Sequence, residues 1–309
     1  MPTVLITGPA GLVGRHVLQE ATSRGVRLTL MSHRRPVTSP GPGHRTVMAD
    51  LAAPASLRGI CEGVDVLLHC ASYIGKDPDA NEAVNDRGTR ALVDEARRAG
   101  VSRIVYVSTA SVYGRGTFHD ADPGRLVRNP GSPTSRTRAA AEDAVLDAGG
   151  IVLRPHLVYG PGDTWVVPGL LRLLRALPGT VEGWGARMSV VSVRDLARLV
   201  VGAGLAPAVD LTAAVYHAAH PTPVTASTLL RAVAACFSLP WPEQDMSVAA
   251  ARAHLAADGR SSHGLDMLTT DHWFDGAPLW RDLCLTPGPD FRNGFPESAE
   301  WYRGALLTA

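Results

Sequence analysis

Three glycines, Gly8, Gly11 and Gly14, stand between the apolar run Val4–Thr7 and a stretch of helical spacing from Leu12 to Arg24. That placement calls for a strand, a tight turn and a helix whose first amides close on a phosphate. Gly8 permits the turn, Gly11 admits a pyrophosphate to the backbone, and Gly14 lets the helix pack against the strand. Incidental glycines in an ordinary strand–turn–helix are the plainer alternative. The context favours a dinucleotide loop, completed by Thr7, Ala10, Leu12 and Val13.

Further apolar runs at Val26–Met31, Val64–His69, Arg103–Ser108 and Gly150–Arg154 alternate with helical stretches at Asn81–Arg98 and Arg138–Leu146. Strands and helices in alternation build parallel βαβ units, so the expected class is α/β: a Rossmann-type, doubly wound parallel sheet. After Pro155 the pattern breaks into shorter pieces punctuated by prolines between Pro161 and Pro242. Residues 1–160 are therefore assigned to the dinucleotide-binding core, rejoined by about 187–217. Residues 161–186 and 218–309 form a smaller, partly inserted substrate-binding lobe.

Charge and composition exclude several classes. Thirty basic against 29 acidic residues, net +1, supply no field for a nucleic-acid backbone. Cys61, Cys70, Cys236 and Cys284 are widely spaced and read as reduced thiols. No run reaches the length of a membrane span, and Met1-Pro-Thr-Val has no basic leader, so the expected location is cytoplasmic and no membrane partner is expected. His217-x-x-His220 has metal-like spacing but no third ligand nearby, and no metal is expected. A nucleophile elbow, a phosphate loop ending in Gly-Lys and a His-Glu-x-x-His motif are all missing.

The second strand decides the cofactor. NAD binders place an acid at its end to hold the ribose hydroxyls; here it ends Met31-Ser32-His33-Arg34-Arg35. A hydroxyl beside two guanidiniums suits a 2′-phosphate, with Arg15 as a further donor. A solvated basic turn is the bland alternative. The reading is NADP(H).

The spacing Gly8-x-x-Gly11-x-x-Gly14 resembles that of extended short-chain dehydrogenases/reductases. Asp50-Leu51, His69-Cys70-Ala71-Ser72, Asn85-x-x-Gly88-Thr89, Ser108-Thr109-Ala110-Ser111-Val112-Tyr113-Gly114 and Arg154-Pro155-His156-Leu157-Val158-Tyr159-Gly160-Pro161-Gly162 resemble further motifs of that family, as do Ser192–Ala197 and Glu300–Arg303. The resemblance spans nearly the whole chain. It implies cofactor contacts at Asp50, Leu51, Cys70, Ala71, Ser72, Val107, Arg138, Pro155, His156 and Leu157. It also implies a carbonyl-orienting hydroxyl at Thr109, with Ser108 beside the substrate.

The departure lies at the chemistry. In the family a tyrosine transfers the proton and a lysine four residues on lowers its pKa. The frame Pro133-Thr134-Ser135-Arg136-Thr137-Arg138 puts Thr134 at the tyrosine position and Arg138 at the lysine position. The single lysine is Lys76, and Ser72 stands four residues before it, so no Tyr-x-x-x-Lys exists in this chain. Arginine can still hold ribose hydroxyls, whereas threonine is shorter than tyrosine and far less acidic. Losing a positioned acid costs about 10²–10⁴ in rate.

A substrate carrying its own acid resolves the conflict. A phenol beside a ketone hydrogen-bonds to the carbonyl oxygen and neutralises charge as hydride arrives, leaving the protein to hold the reacting atoms together. The chain resembles tyrosine-less ketoreductases of antibiotic pathways, of the angucyclinone type. The leading expectation is therefore an NADPH-dependent ketoreductase of an aromatic polyketide, its proton coming from the substrate's phenol or from water. Tyr73, Tyr113, Phe118, Trp165, Trp184 and Met188 are candidates for a flat ligand, although each is ordinary core on the bland reading. His119 and His156 are secondary acid candidates. A silent NADP(H)-sensing regulator and a sugar-nucleotide epimerase or dehydratase are the alternatives; the latter must move protons repeatedly and needs the tyrosine.

Overall fold

The computed structural model describes residues 1–33, 37, 41 and 43–307. Strands β1 (Thr3–Thr7), β2 (Arg27–Ser32), β3 (Arg45–Met48), β4 (Val66–His69), β5 (Arg103–Val107), β7 (Ile151–Arg154) and β12 (Val215–His217) form one parallel sheet, ordered β12-β7-β5-β4-β1-β2-β3. Alternation along each strand feeds two cores. Val4, Ile6, Val66 and Leu68 face a cluster containing Val17 and Ala21 of α1 (Leu12–Ser23) and Leu196 and Val200 of α6 (Val193–Leu205). Leu5 and Leu67 face the opposite cluster, with Leu92 of α3 (Gly88–Arg98) and Val145 of α4 (Pro133–Asp147). A parallel sheet covered on both faces reads as near-continuous apolar runs, as these strands do.

From β1 the chain runs to β2 and β3 on one side and to β4 and beyond on the other. Strand order therefore reverses between β1 and β4, opening a crevice at their carboxyl ends. Gly8 sits at that point with φ +66°, and a Cβ there would stand 2.8 Å from the Ala71 Cα. At Gly14 a Cβ would overlap the Gly8 carbonyl oxygen.

The second half is built on smaller sheets: β6 (Phe118–Ala121), β15 (His272–Phe274), β10 (Arg187–Met188) and β13 (Val224–Thr225) in one, β8 (Leu157–Tyr159) with β11 (Val190–Ser192), and β9 (Thr180–Val181) with β14 (Asp245–Met246). Thus residues 187–192 do not rejoin the main sheet, contrary to the sequence reading; of that segment, α6 packs on the sheet and β12 alone extends it. Pro155 explains the break, because it lacks an N–H for the ladder and its carbonyl accepts from Ala110 N at 2.8 Å instead. Among the described residues no helix is long and apolar enough to cross a membrane.

Candidate functional site

The loop after β1 is held by one hydroxyl. Thr7 Oγ1 accepts from the amides of Cys70 and Ala71 at 3.2 and 3.1 Å, which directs its own proton to His69 Nδ1 at 2.7 Å. The His69 Nε2–H then donates to Thr89 Oγ1 at 2.9 Å. Burial, reinforced by the Arg138 charge, pushes the His69 pKa down to about 3, so the relay is neutral. It clamps the β1 and β4 ends that form the crevice.

A groove of about 470 Å³ follows, lined by Gly8, Ala10, Ser32, His33, Asp50, Ala71 and others. Leu51, Ser72 and Tyr73 also line it. Tyr73 therefore belongs to the groove at the β1–β4 crevice, away from the substrate cleft for which it was a candidate. Asn85 fixes it there, accepting from Tyr73 N at 2.7 Å and donating to Tyr73 O at 2.9 Å. His33 Nε2 lies 3.0 Å from Asp50 Oδ2, and Ser32 Oγ accepts from Val37 N at 3.2 Å. Arg34 and Arg35 lie outside the described residues. Arg15 is not among the groove residues; its side chain packs against Gly162, because the first turn of α1 faces the loop after β8. The neighbouring His16 donates to Pro161 O at 3.0 Å on that same side.

A dinucleotide fits this arrangement on two observations. The glycine turn packs so closely, on Ala71 and on itself, that a Cβ at Gly8 or Gly14 would clash, the tight approach of backbone that a phosphate turn requires. Arg138, buried on α4, donates through Nη2 to the Val107 carbonyl at 2.5 Å while its Nε is shut from solvent with no partner. A buried unpaired guanidinium N–H calls for a ligand.

A second cleft, of about 560 Å³, lies past the ends of β5 and β7. Ala110, Ser111, Phe118, Ser135, His156, His272 and Phe274 are among its walls. Four of these are rings in mutual contact: Phe118 and Phe274 at 5.4 Å, Phe118 and His272 at 5.7 Å, His156 and His272 at 5.6 Å, and His156 and Phe274 at 5.6 Å between centroids. Sequence reasoning singled out Phe118 and, as an acid, His156. It missed His272 and Phe274, whose β15 joins β6 across more than 150 residues, a pairing without local signal.

Several candidates are corrected. Trp184 and Met188 are buried in the second lobe's core at 3% and 0% exposure, because their strand and turn pack on α5 (Val166–Ala176) and the helix Ala226–Cys236. Trp165 precedes α5 and is exposed, outside the cleft walls. Leu157 points into the same core. Tyr113 is buried: its oxygen accepts from Arg154 Nη1 at 2.8 Å, so its proton goes to His217 Nε2 at 2.7 Å. Ser108 is likewise internal, donating to Glu142 at 2.5 Å, where Arg154 adds bonds of 2.9 and 2.6 Å. This buried ion pair, whose partners compensate each other's desolvation, anchors α4 to the ends of β5 and β7. His119 is exposed and pairs with Asp271 at 2.8 Å, and it is not part of the cleft wall.

Neither threonine of the expected chemistry opens on the cleft. Thr109 Oγ1 caps the turn Ala110–Tyr113, accepting from Ser111 N and donating to Ser111 Oγ, both at 3.1 Å. Thr134, on the first turn of α4 behind the Ser132–Ser135 capping box, directs its hydroxyl to Gly75 O at 3.4 Å. Of the two serines flanking them, Ser111 and Ser135 do line the cleft. His217 and His220 are taken by Tyr113 and by Gly288 O, and no cluster of three metal-ligating side chains occurs among the described residues.

The comparisons agree with this anatomy. Residues 4–219 match the model of the NAD dependent epimerase/dehydratase family. A 2-alkyl-3-oxoalkanoate reductase of Stenotrophomonas maltophilia is 26% identical, the alignment covering 94% of this chain and 96% of that protein. A 4-hydroxy-2-methyl-3-oxo-4-farnesyl-3,4-dihydroquinoline-1-oxide ketoreductase of Stigmatella aurantiaca is 30% identical over 55% of this chain and 54% of its own. Among solved structures, the Bordetella bronchiseptica enzyme WbmH in complex with NAD+ superposes with a TM-score of 0.77 at 22% identity, covering 98% of this chain and 99% of that one.

Proposed function

Given that the chain belongs to the NAD dependent epimerase/dehydratase family, and that its relatives include reductases of oxo compounds, we propose that it is an NADPH-dependent ketoreductase acting on an aromatic polyketide ketone. The reading rests on one observation above the others: the cleft past the ends of β5 and β7 is walled by Phe118, His156, His272 and Phe274, a surface suited to flat rings. The quinoline ring named in the Stigmatella relative's substrate is of the same general shape.

When bound, the reduced nicotinamide supplies hydride. The chain's own part is to hold and exclude. Thr7, Gly8 and Gly11 set the phosphate turn, Arg138 Nε offers a donor to the ribose, and the basic end of β2 supports the 2′-phosphated form. The ring wall fixes the plane of the ketone. With Thr134 turned to Gly75 and no tyrosine among the described residues that wall the cleft, the alcohol proton comes from a phenol on the substrate or from water. A positioned reaction of this kind draws its rate from orientation.

The test is direct. NADPH oxidation by the purified protein, followed by its near-ultraviolet absorbance, is expected with tetralones and quinones carrying a hydroxyl next to the ketone. Silence across such a panel, with NADPH shown to bind, contradicts the reading and favours a cofactor-sensing role.

A further inference from the structure

Two neutral imidazoles line the cleft, and the fold uses neither fully. His156 lies on the turn between β7 and β8, and His272 opens β15; their rings stack at 5.6 Å with planes 28° apart, and Phe274 meets His156 edge-on. His272 Nδ1 lies 2.9 Å from Thr270 O. A carbonyl only accepts, so that nitrogen carries its proton and the neutral ring offers the cleft an acceptor alone. His156 differs. Its Nε2 is buried with no partner, and burial, aided by the nearby His272 and His217, takes its pKa down to about 3. It stays neutral near pH 7, with one N–H and one lone pair to place. A buried ring nitrogen with no partner is costly and calls for an explanation.

The rival hydroxyls are engaged elsewhere: Thr134 with Gly75 O, and Thr109 within its own turn. Pro155 O, next in chain to His156, accepts from Ala110 N at 2.8 Å, which ties this histidine to the end of β5. We propose that His156 engages the reacting carbonyl oxygen, donating a hydrogen bond from its neutral ring as negative charge develops there. The inference rests on the ketoreductase reading and adds to it a protein group at the oxygen. As the carbonyl carbon gains hydride from the reduced nicotinamide, the C=O π pair moves to oxygen. That oxygen takes its proton from the substrate's hydroxyl or from water, and His156 keeps its own. A neutral imidazole is far too weak an acid to transfer its proton, but a fixed donor stabilises an oxyanion by its dipole.

The experiment compares wild type, His156→Phe, His156→Asn and Ser111→Ala with NADPH and a tetralone bearing a hydroxyl peri to its ketone. Removing one oxyanion donor costs about 10²-fold in kcat; that loss is expected in His156→Phe, which keeps a stacked ring, with KM and NADPH affinity within about threefold. Asparagine, which restores an N–H, is expected to recover about tenfold of it. Nitrogen NMR of the ring, with NADP+ bound, is expected to show the His156 N–H resonance move when the tetralone is added. A kcat within about threefold in His156→Phe, or a loss carried by Ser111→Ala in its place, overturns the inference. If the wild type turns over no ketone, the ketoreductase reading falls by itself. The ring signal then decides this inference separately: movement on adding the tetralone supports the contact, and no movement overturns it.

Discussion

Arg138 donates from Nη2 to the Val107 carbonyl at 2.5 Å and leaves its Nε buried and unpaired. The Nη2 side of the guanidinium is thus spent on the end of β5, while its Nε–H has no partner in the protein. Removing the donor in Arg138→Met is expected to weaken NADPH binding about 10–100-fold, the worth of a charge-assisted hydrogen bond. Fluorescence titration with NADPH checks it; an unchanged affinity assigns Arg138 to scaffolding only.

The glycine turn gives a sharper expectation. Gly8 has φ +66° and no space for a Cβ beside Ala71, so Gly8→Ala combines backbone strain of about 1–3 kcal/mol with a blocked phosphate site. A lowered Tm and loss of dinucleotide binding are expected together. Retained NADPH affinity in a folded Gly8→Ala protein contradicts the assignment of this turn.

The proposed preference for NADPH is tested in the sequence that follows β2. Arg34→Ala with Arg35→Ala is expected to weaken NADPH binding about tenfold or more, leaving NADH binding within about twofold. Equal losses for both cofactors show that the pair does not read the 2′-phosphate.

Acid stability follows from three buried imidazoles. Burial takes the pKa values of His69, His156 and His217 down to about 3 from an ordinary 6.5. Between those values the unfolded chain binds protons that the native state refuses. Stability present above pH 6.5 is therefore lost as pH falls toward 3, with a slope of up to about 4 kcal/mol per pH unit from three such groups. Melting temperatures across this range check it; a Tm unchanged from pH 7 to pH 5 contradicts neutral burial.

The dinucleotide half of the molecule was legible because its signals are local. Val4–Thr7, the three glycines and the apolar face of α1 lie within one short segment, and burial on both sides makes each strand a plain apolar run. The substrate side was not legible, because its walls come from segments far apart in the chain. Phe118 meets His272 only through the pairing of β6 with β15, and an aromatic residue on a short strand reads the same whether it lines a cleft or fills a core. Trp184, Met188 and Tyr113 fill cores. Arg15 was misplaced for a related reason: adjacency to a motif does not say toward which side of a helix a side chain leaves.

The proton's origin is the claim on which the functional account turns, and Thr134 gives a first check. Its hydroxyl serves the Gly75 carbonyl and lies outside the cleft walls, so Thr134→Ala is expected to keep kcat within about tenfold, short of the 10²–10⁴ that loss of a general acid costs. A collapse of turnover makes Thr134 the acid after all.

The most direct measurement compares kcat for the peri-hydroxylated tetralone with kcat for its methyl ether, using NADPH and wild-type protein. If the substrate's hydroxyl supplies the proton, the ether is turned over about 10²–10⁴ times more slowly, while KM changes little. Equal kcat values for the two ketones contradict donation by the substrate's hydroxyl, and leave water or a protein group as the source.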